Sequence, residues 1–160
     1  MPDIFDIPDE YVSAIGKVVV RWNHLEFILN LFLIHTLGKN INDNRSHVVF
    51  AHMAFPQKLD VLGALAEELM KSGDEPVWEQ YKLAVLPLLK EAQSGRNKVI
   101  HSIWGMKDGW VTRASISARG SFKFLHTAVT LGEIEATIKS IEDACRALTA
   151  LASPRGLESI

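Results

Sequence analysis

The apolar spacing between residues 9 and 38 constrains this chain more than any other feature. Val12, Ile15, Val18, Val19, Trp22, Leu25, Ile28, Leu29, Phe32 and Leu33 recur every three or four positions, the spacing that lines up side chains on one face of an α-helix. Pro8, Asp9 and Glu10 suit its first turn, where proline gives up no needed hydrogen bond and carboxylates meet the positive end of the helix dipole. Gly38 is the natural stop. Towards the C-terminal half Phe27, Leu31 and Ile34 add a second stripe, so that end is expected to be buried from two sides.

Further along, NINDNR at 40–45 is turn-forming, and His47 to Ala54 is a short apolar stretch that fits either element type. A second helix is expected over 56–71, with Leu59, Leu62, Leu65, Ala66 and Leu69 inward and Lys58, Asp60, Glu67 and Glu68 outward. Ser72-Gly73-Asp74 ends it. A third is expected over 75–103, bent at Pro87, which lacks a donor and crowds the preceding turn. From 103 to 127 alternation replaces the helical period, with Asp108-Gly109 and Arg119-Gly120 punctuating β-branched and aromatic runs, the pattern of a β-hairpin or small meander. Thr130 and Glu133 form a capping box for a last helix over 130–152, lined by Ile134, Ile138, Ile141, Ala144, Cys145, Leu148 and Leu151 and stopped by Pro154 and Gly156. The expected fold is mainly α: an up-and-down bundle of four or five helices with a small β-hairpin before the last, in one domain over 1–160.

Composition narrows the function classes. At 160 residues, 48% of them apolar, the chain can bury one sizeable core. A formal charge of −2 excludes coating nucleic acid through bulk positive charge and leaves room for a local basic cleft. The single cysteine, Cys145, can form no internal disulfide, and no secretory leader pattern opens the chain, so a cytoplasmic protein is expected. The apolar run Leu25 to Ile34 carries Glu26 and Asn30 and is about half a bilayer span, so no membrane association is expected.

Motifs with known mechanics are missing: there is no Gly-rich phosphate loop, no C-x-x-C, no H-E-x-x-H and no G-x-S-x-G. His24, His35, His47, His52 and His126 are scattered, without the carboxylate-histidine spacing of a bundle metal site, so neither metal nor cofactor is expected. Cys145 on an inward stripe reads as a small apolar group.

What remains is SGRNKVIHSIW at 94–104, in which Arg96, Asn97 and His101 stand as R-N-x-x-x-H. On a regular helix Asn97 and His101, four apart, share a face, so the amide can orient the imidazole. Arg96 and His101 are offset by roughly 140° at 3.6 residues per turn. They converge only if the arginine arm wraps around or a partner chain closes the site. The plain alternative is a helix end, with Arg96 and Lys98 answering the negative dipole while His101 packs near the hairpin.

This arrangement, with a Trp following the histidine, resembles the R-x(4–6)-H signature of HEPN domains, small all-α proteins of prokaryotic toxin, abortive-infection and defence systems. RWNHLEFILN on the first helix, FPQKLDVLGAL on the second and RNKVIHSIW come in the order of HEPN-like bacterial and phage proteins, over roughly residues 9 to 104. The hairpin is not part of the minimal HEPN bundle. The resemblance implies metal-independent RNA cleavage at a two-fold homodimer interface, with Arg96 and His101 as the catalytic pair and Asn97 as the polar residue after the arginine. It also implies a toxin or phage-defence component, with an antitoxin protein as a partner.

The chemistry suits these side chains. Histidine can move a proton from the ribose 2′-OH or to the leaving 5′-oxygen without a metal. Arginine stabilises the charge that builds at phosphorus. Arg21, Asn23, His24, Glu26 and Lys98 are supporting candidates for the cleft, with solvation as the alternative for the first four. Lys107, Arg113, Arg119 and Lys123 form the one basic stretch and are candidates for RNA phosphates. Two other functions stay open: a non-catalytic module binding RNA, a nucleotide or a partner protein, and a purely structural dimeric bundle.

Overall fold

The computed structural model describes residues 7–42, 44–71, 73, 75–117 and 123–152, the side chains of 75, 116, 117, 123, 124 and 152 excepted. The chain is mainly helical, with α1 (Asp9–Thr36), α2 (Asn44–Ala51), α3 (Phe55–Lys71), α4 (Glu75–Gln80), α5 (Leu86–Ile100) and α6 (Leu131–Ala152). Strands β1 (Ile103–Lys107), β2 (Trp110–Ser117) and β3 (Lys123–Ala128) precede α6. Because α4 passes into α5 through one π-helical stretch, Tyr81–Val85, the described helices count as five. Ser72, Asp74, Arg119, Gly120 and the stop signal at Pro154 and Gly156 fall outside the described residues.

Local signals explain most of the boundaries. α1 ends in a Schellman motif: Gly38, at φ +65°, donates to the His35 carbonyl at 2.8 Å, and Lys39 donates to the Ile34 carbonyl at 3.1 Å. The Gln57 side chain reaches back to the Ala54 N–H at 2.8 Å to cap α3. Ahead of α6 the capping box forms as expected, with Thr130 N–H donating to Glu133 Oε2 at 2.8 Å and Glu133 N–H to Thr130 Oγ1 at 3.3 Å. At Pro87 the expected bend takes the form of a wide turn. Proline has no N–H for the Leu83 carbonyl and its ring would crowd that carbonyl. The preceding stretch opens instead, and Leu86 N–H donates to the Tyr81 carbonyl five residues back.

The stretch around His47, which fitted either element type, is a helix, α2. Other expectations are corrected. The expected 75–103 helix ends at Ile100 because Ile103 already pairs in the sheet. Lys58 is buried, 3% exposed, rather than outward. Val12, Val19 and Phe27 of the α1 stripes are exposed, whereas Trp22, Leu25, Leu29, Phe32 and Leu33 are buried.

Two compact units divide the chain, Met1–Trp22 with Glu91–Ile141 and Asn23–Lys90 with Glu142–Ile160. In the second, Leu25, Leu29, Phe32, Phe50, Leu59, Leu62, Trp78, Tyr81 and Leu148 are buried. Trp78 stands edge-on to Phe32 and Tyr81, at 6.1 and 5.9 Å between centroids. Burial pushes the Tyr81 hydroxyl well above its ordinary value. Lys58 Nζ lies 3.6 Å from Glu26 Oε1, which accounts for a lysine in this interior.

The first unit joins the start of α1, the end of α5, the sheet and the start of α6. Its buried side chains include Val18, Trp22, Ala92, Val99, Val111, Ala114, Ile134 and Ile141. The sheet is an antiparallel meander in the order β1-β2-β3, one strand more than a hairpin. Asp108 and Gly109, at φ +51° and +79°, make the tight turn between paired Lys107 and Trp110, the type I′ geometry that Asp-Gly favours.

Candidate active site

The site is built at the C-terminal end of α5, where the last turn leaves carbonyls without helical partners. The last helical bond runs from His101 N–H to the Asn97 carbonyl at 3.2 Å, and three side chains take up the carbonyls beyond it. Ser102 Oγ and, more distantly, Arg113 Nη1 donate to Lys98 O at 2.6 and 3.4 Å. The Trp104 indole N–H donates to Val99 O at 2.8 Å. The tryptophan after the motif and an arginine from β2 thus lock the helix end, and His101 is held in the turn that follows it.

Within this frame Arg96 and His101 meet. Arg96 Nη1 lies 2.8 Å from His101 Nε2 and 3.1 Å from Asn97 Oδ1. The long arm spans the angular offset to His101 at the helix end, so one chain suffices to bring the pair together. A guanidinium only donates. As a hydrogen bond, the contact therefore uses the Nε2 lone pair.

Arg96 is anchored from behind by a residue that periodicity assigns to the core. Its Cζ lies 5.3 Å from the Trp22 ring centroid, within cation–π range. Trp22 is only 4% exposed. Arg96 Nε is buried with no hydrogen-bond partner among the described residues, so the indole face supplies what the missing acceptor does not.

A cleft of about 480 Å³ opens on Asn97 and His101, the two residues to which Arg96 is bonded. Ser94, Asn97, Lys98 and His101, spaced three and four apart, form its helical wall, with Ser102 beyond. The opposite wall is one face of the sheet: Arg113 and Ser115 alternate on β2, and their register partners Thr127 and Leu125 stand across on β3. Lysine, histidine, arginine, hydroxyls and an amide line it, and no carboxylate does among the described residues.

Of the residues expected to act, Asn97, Lys98, His101 and Arg113 are in the cleft and Arg96 is bonded to two of them. Arg21 is exposed on α1; Asn23 and His24 are exposed in the other unit, where Glu26 is committed to Lys58. Lys107 is exposed beside the Asp108 turn, and Lys123 is placed by its backbone only. Ser94, Ser102, Ser115, Leu125, Thr127 and Trp22 are the additions that sequence reasoning missed. Ser94 shares the helical spacing of Lys98 and His101, and Ser115 shares the pleat of Arg113, so both signals were present.

Among the described residues no three His, Cys, Asp or Glu side chains gather into a group able to hold a metal ion. No helix of the described residues is long and apolar enough to cross a membrane. Compared with known protein families, curated proteins and solved structures, the chain finds no match.

Proposed function

We propose that the protein is a metal-independent endoribonuclease of the HEPN type, a cytoplasmic toxin or phage-defence component. The observation that carries this is the 2.8 Å contact between Arg96 and His101 at the wall of a cleft lined by cations and hydroxyls. A phosphodiester is a stronger acceptor than a neutral imidazole. On binding it takes the guanidinium N–H groups for itself and releases His101 Nε2.

The freed nitrogen accepts the proton of the ribose 2′-OH, and the 2′-oxygen attacks phosphorus. Arg96 balances the charge that grows on the phosphoryl oxygens, while Asn97 holds the guanidinium on its axis. The P–O5′ bond breaks and the 5′-oxygen takes a proton from water, while His101 gives its own back to solvent, leaving a 2′,3′-cyclic phosphate and a 5′-hydroxyl. DNA lacks the 2′-OH and is not cut. Lys98 and Arg113 hold flanking phosphates, and a second copy of the chain and an antitoxin protein complete the expected partners.

The test is incubation of purified protein with RNA in EDTA, beside Arg96→Ala and His101→Ala. Cleavage by wild type and loss in both variants is expected; RNA binding without turnover would mark the chain as a non-catalytic module. A monomer in sedimentation would remove the homodimer from this account without touching the pair.

A further inference from the structure

A second cavity, of about 250 Å³, adjoins the cleft in the same unit. The two share Lys98 and Arg113, which therefore form a cationic ridge between them. We propose that this second cavity receives the base of the nucleotide next to the cleaved phosphodiester, with that nucleotide's own phosphate on the Lys98–Arg113 ridge. The assignment rests on the RNA-directed function proposed above.

Three observations carry it. The cavity is smaller than the roughly 300 Å³ at which pockets for drug-sized ligands begin, enough for one planar ring system. Its walls are apolar where a base needs them, with Val99, Ile134 and the half-buried Trp104, whose indole N–H is tied to Val99 O and whose ring is thereby fixed. Base stacking on such a ring is tolerant of sequence. Charge then separates the parts of the ligand: Glu133 at the cavity repels a phosphate, while the ridge attracts one.

Glu133 also sets a preference. The Thr130 backbone N–H, then its hydroxyl, holds the Glu133 carboxyl below its ordinary value, so it is ionised at neutral pH. Only its Oε2 is engaged by Thr130. Oε1 can accept from an exocyclic amino group, as carboxylates do from cytosine N4. Cytosine is favoured over uracil, which presents a carbonyl at that position.

Fluorescence anisotropy with 2′-O-methyl hexacytidylate and hexauridylate, which lack the attacking hydroxyl, reads binding apart from cleavage. Wild type is expected to bind the cytidylate about tenfold tighter, the lower end of what one charge-assisted hydrogen bond contributes. Ala136→Trp, which fills the cavity from an exposed position, is expected to lose about tenfold in cytidylate affinity and most of the preference. Glu133→Gln, which keeps the cap and whose amide can donate to the uracil carbonyl as well as accept from the cytosine amino group, is expected to lose the preference. Wild-type affinity and preference in both variants overturn the subsite, as does a wild type that binds neither oligomer. If wild type binds both with this preference and cleaves no RNA, the catalytic function fails and the subsite stands; RNA cleavage with indifferent variants has the opposite meaning.

Discussion

The anchoring of Arg96 on Trp22 makes a prediction that stability alone can check. Truncating Trp22 by itself is uninformative, because removing a buried tryptophan costs about 3–5 kcal/mol through lost packing whatever lies above it. The specific term is the coupling between the two side chains, isolated by a double-mutant cycle of Trp22→Leu, Arg96→Met and the pair. A guanidinium over an indole contributes about 0.5–1 kcal/mol at exposed sites and about 2 or more when desolvated. Here the ring is 4% exposed, Arg96 is half-buried and the distance is 5.3 Å. The coupling should therefore be about 1–2 kcal/mol. Urea unfolding followed by circular dichroism measures it without relying on tryptophan emission. Additivity within about 0.3 kcal/mol, the limit for independent sites, would show that the indole does not hold the guanidinium. In RNA cleavage, Trp22→Phe, which keeps an aromatic face, should retain more of kcat than Trp22→Leu at similar KM, since a displacement near 1 Å can cost about a hundredfold.

The buried ion pair and the α6 cap yield two more outcomes. Lys58→Met keeps the buried stem and removes the charge, so it should change unfolding free energy by no more than about 1 kcal/mol or raise it, whereas Glu26→Gln strands the Lys58 ammonium and should cost about 1–2 kcal/mol, less than a fully buried pair because Glu26 is partly exposed. Urea midpoints of the two variants decide between them. Thr130→Ala should cost about 1 kcal/mol as a lost N-cap. Because Glu133 has its folded pKa depressed from 4.5, its contribution is complete above that value and fades as pH falls through the lower folded one, so the stability gap between wild type and Glu133→Gln should close in acid.

Sequence reading went furthest where a local rule decides the structure. Helical spacing located α1, α3 and α6, while Gly38, Asp108-Gly109 and Thr130/Glu133 each specified a turn or cap that formed. It failed where a distant partner decides. Lys58 reads as an outward charge because its neighbour Glu26 lies 32 positions away. Periodicity placed Trp22 inside, but not that its ring faces a guanidinium. Asn97 and His101 were legible as one helix face, and their union with Arg96 depended on the reach of the arginine arm around the helix, which spacing does not give. The far wall of the cleft required the strand register, which no spacing within β2 or β3 alone contains.

The central claim is that Arg96, Asn97 and His101 cleave RNA through the 2′-OH. It is tested most directly by end-group analysis of RNA incubated in EDTA with wild type and with His101→Ala. The expected result is 2′,3′-cyclic phosphate and 5′-hydroxyl ends from wild type, formed at least about a hundredfold more slowly by the variant, as loss of a general base requires. Equal rates from the two proteins, 5′-phosphate ends, or intact RNA with wild type would contradict it.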